Sequence, residues 1–124
     1  MNEKQKFSFV ARAKSFVFAW CGIKTLLRTE HNAWIHSVAA LFAIAAGFIL
    51  HISSMQWCII ILIIAAVFSL EAVNTAVEAL ADKVSPEKDP LIKNAKDTAS
   101  AAVLIMAIAA VVIALIIFVD KINN

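Results

Sequence analysis

The sequence has 124 residues, of which 62% are hydrophobic and only 16% are charged. A soluble domain of this size is usually less than half apolar and about a quarter charged, so a mean hydropathy of +0.86 indicates a protein that resides in lipid. Its two glycines, Gly22 and Gly47, are too few for a glycine-rich phosphate-binding loop, and a formal charge of +2 without a basic, aromatic-rich tract does not indicate nucleic-acid binding.

The first predicted element is an amphipathic helix over residues 7–29. Its apolar side chains fall within an arc of about 80° at helical spacing, and they are Phe9, Ala13, Phe16, Trp20, Ile23 and Leu27. Basic side chains flank this stripe, namely Arg12, Lys14, Lys24 and Arg28. Such a helix is expected to lie in the membrane interface, where its cations attract anionic headgroups or phosphate. Two roles stay open for it: an anchor that only orients the protein, and direct binding of a lipid or nucleotide.

Three membrane-spanning helices follow. The apolar stretches within residues 33–50, 54–81 and 90–119 are long enough to cross a bilayer, which takes about 20 helical residues. The charged segment 82–89 is predicted as the loop between the second and third spans, with Asp89 as the N-cap of the third helix and Pro90 as its first residue. The sequence therefore predicts an all-α membrane protein with a single domain over residues 1–124.

Basic residues are distributed unevenly along the chain. Of the 11 Lys and Arg residues, six precede Glu30, four lie within residues 83–96, and none lies between the first and second spans. Because positively charged loops tend to stay in the cytoplasm, we expect a cytoplasmic N-terminus, a cytoplasmic 82–89 loop and a C-terminus on the outer side.

The second span carries polar side chains inside its apolar pattern. Glu71, Asn74 and Glu78 fall on one face of this helix. Ionisable groups within a span cost about 2.5 kcal/mol or more at its centre, so a line of them indicates a site or a wet cavity; the alternative is that they only join helices through hydrogen bonds. No acidic or basic residue continues the line outward through residues 52–70. This favours a reaction between a cytoplasmic phosphate donor and a membrane alcohol over a transport path.

Each polar residue suggests a role in such a reaction. Glu71 lies deepest and is predicted to be the general base, while Asn74 orients the substrate or the base. Glu30 and Glu78 lie at matching depths of neighbouring spans and are expected to hold Mg²⁺ together with nucleotide phosphates. The cations expected to contact phosphate are Lys96 and either Arg12 or Lys14.

No metal site is expected from the three histidines. His31 and His36 are about 140° apart around a helix, and no cysteine joins them. Together with His51 they are interpreted as interfacial or packed residues.

The motif Glu71-x-x-Asn74-Thr75-Ala76-Val77-Glu78-x-x-x-Asp82, followed by Ala95-Lys96-Asp97, resembles the signature of the prokaryotic diacylglycerol kinase family of small membrane lipid kinases. One departure is Ala81, where the family usually has a larger aliphatic residue. The resemblance implies an ATP- and Mg²⁺-dependent homotrimer in the bacterial inner membrane, with active sites between subunits on the cytoplasmic side. The membrane lipid alcohol and ATP are its expected partners, and nucleic acid is not.

The same resemblance implies roles for individual residues. Glu71 is similar to the family's catalytic base, and Glu30 and Glu78 to its metal-binding pair. The expected ATP contacts are Glu30, Glu78, Glu87, Lys88, Asp89, Lys96 and Asp97. The expected substrate contacts are Glu71, Ser100 and Trp20.

The lipid acceptor is less sharply defined by the sequence. The segment Glu30-His31-Asn32-x-x-x-His36 resembles the branch of the family that phosphorylates undecaprenol more than the branch that prefers diacylglycerol. A small proton-coupled multidrug or cation transporter with a membrane-embedded glutamate is the alternative function. A third interpretation, a structural subunit without activity, leaves the aligned polar face of the second span unexplained.

Overall fold

The computed structural model describes residues 6–85 and 87–124, which form four α-helices without a β-strand in these ranges. The helices are α1 (Phe9–Thr29), α2 (His31–Ile49), α3 (Ser54–Val84) and α4 (Pro90–Asn123). By length and composition, α2, α3 and α4 are candidate membrane spans. The all-helical prediction is therefore confirmed, and three of the helices are long and apolar enough to be the predicted membrane spans.

A single residue separates α1 from α2. Helix α1 begins after Ser8, whose side chain accepts a hydrogen bond from the Ala11 amide. Glu30 adopts an extended conformation with φ −108° and ψ 115°, so it ends α1 and begins α2. Leu26 is buried near the end of α1, whereas most of its aromatic side chains are exposed in the isolated chain. The apolar surface of α1 is thus left for lipid or another subunit.

A tight connection joins α2 to α3. Gly47 allows the close approach, because a Cβ atom there would lie 2.7 Å from the Trp57 ring. His51 has a positive φ of 53° in the turn. Ser53 and Gln56 then form a reciprocal capping box that starts α3.

Helix α3 is longer than the sequence analysis predicts. Its end was expected at residue 81, with a loop over 82–89, but the helix continues to Val84. Residues 82–84 contain no helix breaker, and the chain turns extended only at Ser85, which precedes a proline in the sequence and so disfavours the helical conformation. Asp82 therefore extends from a helix rather than from a loop.

Helix α4 starts where its N-cap predicts. The Asp89 carboxylate accepts hydrogen bonds from the amides of Leu91 and Ile92, and Pro90 is the first helical residue. The helix runs to Asn123, past the predicted end at residue 119. Helices α3 and α4 pack most extensively against each other, and α1 and α2 both contact α3. Four of the buried apolar residues form one cluster, namely Ile52, Ile60, Ile63 and Ile117.

Candidate active site

Glu71 and Asn74 lie on the face of α3 that packs inside the molecule. Glu71 is fully buried and Asn74 is 6% exposed, and the same face carries the buried apolar residues Ile63 and Val67 closer to the start of the helix. Within the described chain, neither carboxylate oxygen of Glu71 nor Oδ1 of Asn74 has a hydrogen-bond partner. Buried polar groups are normally paired, because an unpaired carboxylate in an apolar environment is strongly unfavourable. The cluster therefore has unused capacity to accept hydrogen bonds.

His36 is the neighbour of this carboxylate on α2. Its Nε2 lies 3.4 Å from Glu71 Oε2. Its ring also meets Phe68 edge to face, with centroids 6.3 Å apart. From the sequence, His36 is expected to be an interfacial or packed residue without a role in the site. The one sequence signal for His36 is its place in the segment Glu30-His31-Asn32-x-x-x-His36. Its contact with Glu71 could not be predicted, because the spacing of residues along one helix does not show contacts between helices.

At the C-terminal end of α3, an ion pair links α3 to α4. Lys96 Nζ donates a hydrogen bond of 2.8 Å to Asp82 Oδ1. Lys96 precedes the apolar stretch of α4, and its hydrogen bond to Asp82 raises the pKa of the ammonium above its usual range. The carboxylates of Glu78 and Asp97 raise this pKa further, so Lys96 is fully charged at neutral pH. Asp97 is also paired with Lys93 on its own helix.

A cleft of about 640 Å³ opens beside this ion pair. Its lining includes five of the residues predicted to contact ATP, namely Glu87, Lys88, Asp89, Lys96 and Asp97. The volume lies in the range of small-molecule sites, and the lining offers both cations and carboxylates. Glu30 and Glu78, the other two predicted contacts, do not line it.

Glu30 and Glu78, the predicted metal pair, are both half-buried. Glu30 lies at the α1–α2 junction, and its side chain makes no capping hydrogen bond. Residues 6–85 and 87–124 contain no cluster of three or more His, Cys, Asp or Glu side chains placed to bind a metal. Mg²⁺ needs only one or two protein carboxylates when phosphates and waters complete its shell, so the donor chemistry of this pair fits such an ion.

The remaining predicted site residues are exposed and lie outside the lining of the cleft. Trp20, Arg12 and Lys14 are exposed on α1, and Ser100 is exposed on α4. None of the four lines the cleft beside Lys96. Trp20 has a cationic neighbour, since Lys24 Nζ lies 6.0 Å from its ring centroid.

The sequence model of the prokaryotic diacylglycerol kinase family matches residues 17–118 of this chain. The chain belongs to that family. Among its relatives in this kinase family, undecaprenol kinase of Bacillus subtilis (strain 168) is 43% identical over 108 residues, which cover 87% of this chain and 88% of the relative. Diacylglycerol kinase of Escherichia coli (strain K12) is 31% identical over 104 residues, with coverage of 84% and 85%. Diacylglycerol kinase of Synechocystis is 37% identical over 100 residues, but the match spans only 57% of that relative.

Membership of this diacylglycerol kinase family confirms two predictions. The resemblance drawn from the second-span motif is correct, and the chain is an enzyme of the lipid kinase class. The transporter alternative is not favoured, because the relatives that match most of this chain are kinases.

Proposed function

We propose that this chain transfers the γ-phosphate of ATP to the primary hydroxyl of a membrane lipid alcohol, with Glu71 as the general base. The observation that carries the proposal is the fully buried Glu71 carboxylate, whose two oxygens lack hydrogen-bond partners among the described residues. Such a group is available to accept the proton of a hydroxyl that enters from the lipid. Asn74, on the same buried face, orients the hydroxyl or the base.

The nucleotide occupies the cleft beside the Lys96–Asp82 ion pair in this proposal. Lys96 and Lys88 supply positive charge to phosphate, which replaces the backbone amides of a glycine-rich loop. Glu30 and Glu78 would hold Mg²⁺, which neutralises phosphate charge when it is bound. Arg12 and Lys14 on α1 contact phosphate if α1 folds toward this end in the assembly, and Trp20 and Ser100 face the lipid substrate.

We also propose a cellular location, a membrane position and an oligomeric state for the site. The concentration of Lys and Arg before Glu30 and within residues 83–96 supports a cytoplasmic location for the site in a bacterial inner membrane. The amphipathic pattern of α1 supports a position in the membrane interface. The exposed alanines Ala39 and Ala45 on α2 and Ala101 on α4 suit close helix contacts between copies, in keeping with a homotrimer that shares its active sites between subunits.

For the acceptor, we favour undecaprenol over diacylglycerol. The undecaprenol kinase of Bacillus subtilis is 43% identical to this chain, against 31% for the diacylglycerol kinase of Escherichia coli K12, at similar coverage. Both lipids present a primary hydroxyl at the membrane surface, and an apolar pocket discriminates only weakly between hydrocarbon chains.

The test is transfer of labelled phosphate from ATP by the purified protein in mixed micelles, with undecaprenol and diacylglycerol measured side by side. We expect phosphorylated undecaprenol as the main product and a lower rate with diacylglycerol. Transfer to neither lipid would contradict the proposed function, and a faster reaction with diacylglycerol would contradict only the choice of acceptor.

A further inference from the structure

His36 connects the buried carboxylate on α3 to an apolar groove in the same chain. The groove has a volume of about 330 Å³ and lies between α2, α3 and α4. Alanine and branched aliphatic side chains form most of its lining, together with Phe68, and His36 is the one polar side chain among its lining residues. The groove is thus apolar along its length and polar at His36.

The position of the imidazole is defined by two contacts on α3. Its Nε2 lies 3.4 Å from Glu71 Oε2, while Phe68, one turn earlier on α3, packs edge to face against the ring. The His36 side chain is 18% exposed and that of Glu71 is 0% exposed, so water has little access to the pair. A hydrogen bond in such an environment has a strong orienting effect, because no solvent competes for the carboxylate.

Glu71 has need of such a donor. No side chain in the described part of the chain donates a hydrogen bond to its oxygens, and His36, at 3.4 Å, is close enough but is not aligned as a hydrogen-bond donor. Catalytic hydrogen bonds are often long in structures without substrate and tighten when the substrate is bound.

We propose that His36 is a positioning residue for Glu71, at the point where the hydrocarbon chain of the lipid alcohol enters the groove. The inference rests on the proposed function and adds to it a residue and a route for the acceptor chain. Nε2–H of His36 donates to one oxygen of Glu71 and fixes the carboxylate plane. The second oxygen is then directed at the hydroxyl of an acceptor whose chain lies along Ala39, Ala43 and Ile64.

The phosphoryl transfer does not require a proton from His36. The acceptor O–H bond breaks, and its proton goes to the free oxygen of Glu71. The acceptor oxygen forms a bond to the γ-phosphorus, and the bond from that phosphorus to ADP breaks. His36 keeps its proton throughout, so its contribution is geometric, and a misdirected base lowers kcat rather than the affinity for ATP.

The test compares His36→Leu, which removes the donor at similar volume, with His36→Gln, whose amide nitrogen replaces Nε2. We expect His36→Leu to lower kcat about tenfold to a hundredfold, with an unchanged KM for ATP. His36→Gln should recover kcat to within about threefold of the parent. His51→Asn is the matched control, because it removes an exposed imidazole at the far end of α2 and suits the positive φ there.

Thermal unfolding in micelles checks that each variant folds. If His36→Leu does not fold, His36→Asn, which is too short to reach Glu71, takes its place beside His36→Gln. A wild-type kcat in the variant without a donor overturns the inference, as does an equal loss in both variants when both are folded. Glu71→Gln is measured in the same series: if it is inactive while His36→Leu is fully active, only this inference fails. If Glu71→Gln is fully active, the proposed base fails and the inference with it.

Discussion

The burial of Glu71 has a free-energy cost that stability alone does not justify, since its carboxylate is fully buried on the packed face of α3 and has no hydrogen-bond partner among residues 6–85 and 87–124. We therefore expect Glu71→Gln, which keeps the shape and removes the base, to lower kcat by about 10³-fold. Binding of MgATP should remain near the parent level, because the residue acts on the acceptor proton. The rate of phosphate transfer and the equilibrium affinity for MgATP, measured on the same variant, check this. Loss of nucleotide affinity with retained kcat would contradict the assignment.

Glu78 lies two turns farther along the same helix, where its carboxylate raises the pKa of Lys96. Under the proposed function, Glu78→Gln removes a metal ligand, so the Mg²⁺ concentration for half-maximal activity should rise about tenfold or more. The KM for ATP should rise with it. The measurement is a Mg²⁺ titration at fixed ATP, with Glu87→Gln, an exposed residue of the cleft, as a comparison that should shift the Mg²⁺ requirement much less. An unchanged Mg²⁺ dependence in Glu78→Gln would count against this ligand.

At the level of the helices, Asp89 has a structural role that overlaps its predicted contact with ATP. Its carboxylate caps α4 through the Leu91 and Ile92 amides. Asp89→Ala should lower the free energy of unfolding by about 1 kcal/mol, whereas Asp89→Asn keeps a capping oxygen and should stay near the parent. Thermal unfolding in micelles separates the two. An increased KM for ATP in both variants would show that the negative charge of Asp89 contributes to nucleotide binding. An increase in Asp89→Ala alone would show that Asp89 affects the nucleotide only by capping α4.

The junction of α2 and α3 depends on the absence of a side chain at Gly47. An added Cβ would meet two carbons of the Trp57 ring at 2.7 and 2.9 Å, and Trp57 is itself packed against Phe48. We expect Gly47→Ala to destabilise the fold by about 1–3 kcal/mol through overpacking. Gly22→Ala is the control, since no atom of the described residues beyond its own helical turn lies within 4 Å of the added atom. Equal unfolding temperatures for the two variants would show that the junction can adjust.

For the whole molecule, the proposed trimer implies that one chain does not contain a complete site. Glu71 and the cleft beside Lys96 lie on the same pair of helices, whereas Trp20 and the cations of α1 are exposed and do not line the cleft. If the proposed trimer combines the base of one subunit with the nucleotide cleft of another, two inactive variants should complement each other. Equal mixing of Glu71→Gln and Lys96→Met subunits should then restore about a quarter of the sites. Each variant assembled alone is the control, and no recovery in the mixture would indicate that base and cleft act within one chain.

Periodicity along single helices was sufficient for much of the fold and part of the site. Apolar length identified the three spans, and the spacing of Glu71 and Asn74 placed them on one face, which is the face that the structure buries. Local capping rules identified the start of α4 at Asp89 and Pro90. The predicted end of α3 is wrong. Charged residues within 82–84 indicate a loop by composition, but charged residues continue a helix readily until a helix breaker follows.

The sequence by itself determined the three long apolar helices that are candidate membrane spans and the identity of the family, since each of these depends on composition, local spacing or a contiguous motif. Only the tertiary structure decided which residues meet across helices. The contact of His36 with Glu71 and the ion pair of Lys96 with Asp82 depend on how α2 and α4 are rotated against α3. That rotation is set by the packing of many side chains at once, and no spacing within one helix encodes it.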